Sequence, residues 1–502
     1  MPKMQIKTEQ SVRDWIETRI VPDEIERYLD GGAGFIDPYR IEGDLVGAVD
    51  PDPQRVRDII AKSLAIETLA PDECATLLQV EDPELLSEME EAAAEVKLKV
   101  YDNRIVTFAP LYLSNYCVND CAYCAFRCSN PEGVRTRLGR DEILAETRAL
   151  AGEIGHKRLI VVYGEHPSSG VDYIASSMED IYSVKVPTRN GYGSIRRCNV
   201  NAAPMPIDEL RRLHEVGIGT YQVFQETYHP ETYARLHPQG TIKGDYLWRL
   251  YCMHRAMDAG VDDLGLGVLF GLYDWKFEVM GLLYHSIELE RRFGVGPHTI
   301  SFPRIEPASN TPFNDDPQYK VGDDEFRRLI TVIRLAVPYT GMILTARESE
   351  ELRREVIGLG CTQTDASTRI GVGAYADKYE RQAGERQQFM LGDTRSLDEL
   401  IREFCERGWI TSFCTAGYRC GRTGKKIMGL LRSGREGNFC KLNAIITFRE
   451  WLDDFASEET RRAGEIVIEQ EMEEVRERMP EFYQQLQDKY SRTSAGERDI
   501  YF

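Results

Sequence analysis

Eight short runs rich in β-branched and aromatic residues alternate with amphipathic helical segments between positions 104 and 365, and this alternation limits the fold more than any other feature. The runs are 104–111, 158–163, 195–201, 220–226, 264–270, 299–303, 342–345 and 361–365. Between them fall helical patterns such as RDEILAETRALAGEIG, PIDELRRLHEVG, DYLWRLYCMHRAMDAG and KFEVMGLLYHSIELERRFG. Consecutive parallel strands need a crossover connection, so this order predicts an α/β fold, a (βα)8 barrel of the TIM type. Catalytic groups on such a barrel gather at the C-terminal ends of the strands. The expected organisation is a helical segment over 1–102, the barrel over 103–375 and a C-terminal region over 376–502. PDPQRVRDIIAKSLAIETL and DPELLSEMEEAAAEVKLKVY read as capped helices forming a lid or cap on the barrel. The charged run 457–490 reads as a solvated helix packed along one face.

Composition narrows the chemistry. A net charge of -20 argues against nucleic acid and against an anionic membrane surface as partners, because both call for a Lys/Arg face. MPKMQIKTEQSVRDWIETRI shows no apolar core before a small-residue cleavage site, and no apolar stretch approaches the ~18 residues that span a bilayer. A cytoplasmic protein acting on small molecules is the expectation. In that compartment twelve cysteines are better read as buried thiols and metal ligands than as a disulfide framework.

The densest thiol group is Cys117-Val-Asn-Asp-Cys121-Ala-Tyr-Cys124, on the loop that follows the first predicted strand. Three thiols at C-x3-C-x2-C can ligate three irons of a 4Fe–4S cluster. The fourth iron then stays open to chelate the amino and carboxylate groups of S-adenosyl-L-methionine (SAM) and to deliver the electron that generates a 5'-deoxyadenosyl radical. Structural zinc is the competing reading, but it normally takes four ligands in paired knuckles and no second pair is suitably placed. With Tyr123 before the last cysteine, the loop resembles the radical-SAM signature, in which that aromatic packs near the adenine. Cys128 is then structural.

Other candidates fall on the same rim. Gly164 and Glu165 follow the second run, where open backbone and a carboxylate suit the amino group of SAM; a turn with a solvated Glu is the alternative. Glu226 ends the fourth run and suits the ribose hydroxyls. Arg304, with Ser301, suits a substrate carboxylate, and a surface salt bridge is its bland alternative.

APLYLSNYCVNDCAYCAFR, GHKRLIVVYGEHP, GSIRRCNVNAAP, DDLGLGVLFGLYDWKFEVMGLL, FGVGPHTISFPRI and SFCTAGYRCGRTG together resemble the radical-SAM tyrosine lyases, and within them the FeFe-hydrogenase maturases of the HydG type. The resemblance runs over most of the chain. It implies that L-tyrosine is the substrate and that its Cα–Cβ bond is cleaved to p-cresol and dehydroglycine (2-iminoacetate). It further implies a one-electron donor such as ferredoxin or flavodoxin. Maturases carry dehydroglycine on to carbon monoxide and cyanide at a second iron-sulfur cluster and work with other hydrogenase maturation proteins. The related thiamine-pathway enzyme stops at 2-iminoacetate.

That second cluster sits, in the family, on C-x2-C-x22-C. Here Cys414 and Cys440 occupy the outer positions and Gly417 the middle one. Glycine cannot ligate iron. Cys420, three residues further, would share a helical face with the lost position and could serve as third thiolate of an auxiliary site Cys414, Cys420 and Cys440. Otherwise the cluster is lost, or its ligation and product are altered. By position His285 matches the family histidine beside this cluster, with His237 competing. A non-catalytic iron-sulfur carrier or scaffold is the reading from another functional class. Glu165, Glu226 and Arg304 speak against it, since a carrier needs no SAM or carboxylate contacts.

Overall fold

The computed structural model describes residues 9–377, 384–432 and 436–502; the first eight residues, part of the segment read for targeting, lie outside it. Eight parallel strands close into a barrel, β1 (Arg104–Ser114), β2 (Arg158–Tyr163), β3 (Arg197–Asn201), β4 (Tyr221–Gln222), β5 (Leu264–Gly267), β6 (Thr299–Ser301), β7 (Gly341–Leu344) and β8 (Gln363–Asp365). Closure is the parallel pairing of β8 back onto β1, Val106 opposite Gln363 through Phe108 opposite Asp365. Each predicted run therefore contributes a strand, though several ladders are shorter. The fourth run holds only Tyr221–Gln222 in register, and its end bends away at Glu226, whose φ of 74° is left-handed.

One strand escaped the sequence reading. β9 (Ile410–Ser412) pairs with Arg104–Val106, on the N-terminal stretch of β1. Three residues are too few to carry a period-2 signal.

The helices start and stop where local chemistry dictates. The segment Ile207–Val216 ends at Gly217 and Trp275–Phe293 ends at Gly294, both glycines left-handed at φ 81° and 70°. The pattern over 246–258 breaks into Tyr246–Leu250 and Cys252–Asp258.

The N-terminal helices do not form a lid. Tyr101 Oη donates to Tyr339 O, Leu69 N to Ala336 O and Arg328 to Val80 O, so this region packs on the outer helices of the barrel flank. None of its described residues lines the central cavity. The bottom of the barrel is closed instead by the C-terminal helices Glu436–Asp454, Glu458–Arg478 and Pro480–Ser494. Glu450 reaches the strand starts there, meeting Lys157 Nζ at 2.7 Å and Arg196 Nη1 at 2.9 Å, with all three side chains buried. No helix among the described residues is long and apolar enough to cross a membrane.

Burial alone would raise the Glu450 carboxyl, but Lys157 and Arg196 outweigh it and hold it far below the ordinary range. Its contribution to stability is full above the ordinary carboxylate pKa and is lost as the pH falls toward the depressed one. Glu450→Ala leaves buried Lys157 without its carboxylate and Arg196 with Asp499 alone, and we expect it to lower unfolding free energy by about 3–5 kcal/mol at neutral pH in a denaturant titration.

Candidate active site

β1 ends at Ser114, and the chain turns over the rim of the barrel to bring Cys117, Cys121 and Cys124 onto one wall of a cavity of about 220 Å³. The loop is held from beneath by backbone. Val118 N donates to Glu165 O, Gly164 N to Ser114 O and Ala122 N to Leu236 O. A Cβ at Gly164 would meet Tyr116 O at 2.2 Å, so glycine is required for the second strand's turn to lie this close to the cysteine loop. Burial pushes the Cys117 thiol up to about 11 and the Cys121 thiol up to about 12. Both therefore stay protonated until iron displaces the proton.

Glu165 lies on the cavity wall. Its Oε2 accepts from Asn119 Nδ2 at 2.6 Å, while Oε1 is buried with no partner among the described residues. Burial raises its carboxyl above the ordinary value. Glu226 is handled differently. Burial pushes it up, but Lys243 Nζ at 2.7 Å and Arg249 Nη2 at 3.2 Å prevail and hold it below. Both cations meet the same oxygen, Oε1.

Tyr123 packs under this layer, with Lys243 Nζ 5.5 Å from its ring centre. Its hydroxyl lies 2.7 Å from His237 Nε2, and His237 Nδ1 lies 2.8 Å from Tyr233 O. A carbonyl only accepts, so Nδ1 carries the proton and Nε2 accepts from the tyrosine. Burial holds His237 down to about 3, which keeps it neutral. His237 therefore orients Tyr123 and is not placed at the C-terminal cysteines.

Ser301 lines the cavity and accepts from Gln222 Nε2 at 2.8 Å. Arg304 does not line it. Its guanidinium is consumed by Glu348 (Nε to Oε2, 3.0 Å), Asp323 (2.8 Å) and Val321 O (2.9 Å), so the carboxylate-anchor expectation fails at this residue. Arg347 lines the cavity instead. Its guanidinium stacks 3.4 Å from the Phe389 ring centre, and among the described residues no carboxylate forms an ion pair with it. Its position just past the end of the seventh run was the available signal. Lys243, Asn119 and Gln388, whose Nε2 lies 3.6 Å from Cys124 Sγ, carried no sequence signal.

The C-terminal cysteines lie at the other end of the barrel. Cys414, at φ 46°, follows β9, and its Sγ is 3.8 Å from Nη1 of Arg197, the first residue of β3. The rise of β2 between the two levels is about 17 Å. Cys414 and Cys440 share the wall of a cavity of about 10 Å³ with Gly417. Cys420 is not on that wall. It closes a 3-10 turn, Tyr418–Cys420, and its Sγ donates to Phe502 O at 3.5 Å. Residues three apart eclipse in such a turn, so the shared face holds, but an advance of about 6 Å carries Cys420 off the cavity wall. His285 is also misplaced by the sequence reading. It is buried on the barrel flank, 2.9 Å from Tyr228 Oη and against the Phe35 ring. The histidine that reaches the Cys414 surroundings is His298, through Asp263 (3.6 Å) and Arg197.

The three clustered thiols, the unpaired Glu165 oxygen and a roomy cavity beside them fit a cluster with one open iron and SAM next to it. The fold and the site define a radical SAM barrel enzyme. Models of the Radical SAM superfamily and of the Biotin and Thiamin Synthesis associated domain match residues 111–281 and 301–410. The 2-iminoacetate synthase of Escherichia coli (strain K12) is 30% identical over 351 residues, covering 70% of this chain and 88% of that protein. A crystal structure of HydG, a maturase of the FeFe-hydrogenase, superposes with a TM-score of 0.88 at 46% identity, covering 94% of this chain and 100% of that one. The HydG of Carboxydothermus hydrogenoformans gives 0.74 at 34% identity with the same coverage. The chain belongs to the radical SAM family that contains 2-iminoacetate synthase and HydG.

Gly164→Ala should displace the cysteine loop. We expect less bound iron after reconstitution and roughly 100-fold slower SAM cleavage, with the circular dichroism of the folded barrel retained.

Proposed function

We propose that this enzyme cleaves the Cα–Cβ bond of L-tyrosine to p-cresol and 2-iminoacetate. The observation that carries it is one cavity holding three cysteine thiols, an unpaired carboxylate oxygen and a guanidinium that forms no ion pair among the described residues. Bound at that rim, a 4Fe–4S cluster and SAM supply a 5'-deoxyadenosyl radical as hydrogen-atom acceptor for opening that bond. Cys117, Cys121 and Cys124 would hold the cluster.

The remaining roles belong to the protein's own side chains. Glu165 Oε1 accepts from the amino group of SAM, and Asn119 fixes the carboxylate for that contact. Gly164 brings backbone close at the same point. Glu226 takes the ribose hydroxyls while Lys243 and Arg249 keep it ionised. Tyr123, oriented by His237, packs near the adenine.

Arg347 anchors the substrate carboxylate and Ser301 donates its hydroxyl alongside. The aromatic ring of the substrate lies over the apolar interior made by Phe108, Ile160 and Ile343. Stacking on Phe389 holds the Arg347 guanidinium in plane, which favours a two-point grip on a carboxylate. A ferredoxin or flavodoxin serves as electron donor.

Reduced, reconstituted enzyme given SAM and tyrosine should release p-cresol. Deoxyadenosine without p-cresol would exclude tyrosine as the substrate. Replacing Cys117, Cys121 or Cys124 by Ala should abolish SAM cleavage. Arg347→Ala should raise the KM for tyrosine roughly 10- to 100-fold, the loss of one charge-assisted pair, whereas Arg304→Ala should move it far less.

A further inference from the structure

We propose that the C-terminal thiols of this chain hold no second cluster, so that the lyase reaction, on the reading given above, ends when 2-iminoacetate leaves the barrel. The radical SAM trio lines about 220 Å³, whereas Cys414 and Cys440 enclose about 10 Å³, room for about one water. Among the described residues the wall carries no third thiol; its other side chains are hydroxyl, amide, methyl and guanidinium groups, with Gly417 contributing none. A cubane with one open iron needs three thiolates, and two leave it a ligand short.

Cys420 cannot repair this without dismantling its surroundings. Residues 497–502 lie across the turn that carries it. Arg498 forms a fully buried pair with Asp454 (2.7 and 2.8 Å), and Asp499 takes both Nη atoms of Arg419 at 2.9 Å. Phe502 N donates to Asn443 Oδ1 at 2.9 Å, and its carbonyl receives Arg422 at 3.3 Å as well as the Cys420 thiol. Asn443 and Arg422 are themselves on the cavity wall. The segment that occupies Cys420 therefore also braces the small cavity shut.

The product is an imine acid, electrophilic at its imine carbon. An enzyme that condenses a nucleophile onto that carbon must consume it, or water does. Addition of one water and loss of one ammonia leave glyoxylate, with no change in oxidation state.

Anaerobic reconstitution with iron and sulfide tests the proposal through iron counts and electron paramagnetic resonance, neither of which needs tyrosine turnover. Wild type should bind about four irons per chain as a single cluster. Cys420→Ser should match it, and Cys117→Ala/Cys121→Ala/Cys124→Ala should bind none. A cluster that persists in the triple variant, or carbon monoxide trapped by haem during wild-type turnover, would overturn the proposal. Glyoxylate accumulating in step with p-cresol supports it. A wild type with one cluster and no p-cresol leaves this inference standing and removes the lyase reading instead.

Discussion

The structure depends on the pairings of one strand. β1 runs the full depth of the barrel and pairs with three neighbours, β2 along its upper half, β8 at its middle and β9 at its base. Its top feeds the cysteine loop, and the strand it recruits at its base leads directly to Cys414. All eleven of its residues are buried, because neighbours cover both sides. The two thiol sites are thus fixed relative to each other by one continuous ladder, and their different fates cannot arise from a flexible joint between them.

Charge at the upper site is arranged by pairing one carboxylate and leaving another half-open. Glu226 is locked ionised between Lys243 and Arg249, while Glu165 keeps one oxygen unpartnered at the cavity. A buried unpaired acceptor costs about 1–3 kcal/mol unless a ligand donor meets it. Such a cost is hard to reconcile with an iron-sulfur carrier, which would have no use for the acceptor. The strained φ at Glu226 points the same way, since a non-glycine left-handed residue persists where the surroundings enforce it.

The barrel and its active end were legible because they rest on local patterns. Period-2 runs, helical periodicity and a C-x3-C-x2-C spacing are written in contiguous residues, and eight strands appeared where those runs lie. Failures came where position depends on distant chain. Arg304 and Arg347 both follow barrel strands, and only the packing of Glu348 and Asp323 against one of them leaves the other to face the cavity. His285 lies on a helix whose buried face looks outward to residues far upstream, near Phe35. β9 was too short to register, and the N-terminal helices carried nothing to say which side of the barrel they would cover.

By itself the sequence determined the βα alternation, the three-thiol loop after the first strand and the absence of a cysteine at Gly417, because each is a matter of residue type and spacing. Tertiary structure alone decided which arginine faces the central cavity, which histidine steadies Tyr123, and that Cys420 is turned toward Phe502 and off the wall that Cys414 and Cys440 share. Those outcomes turn on side-chain direction across contacts more than eighty residues apart in several cases, and no spacing rule encodes the direction in which a thiol or a guanidinium points once the chain has closed on itself.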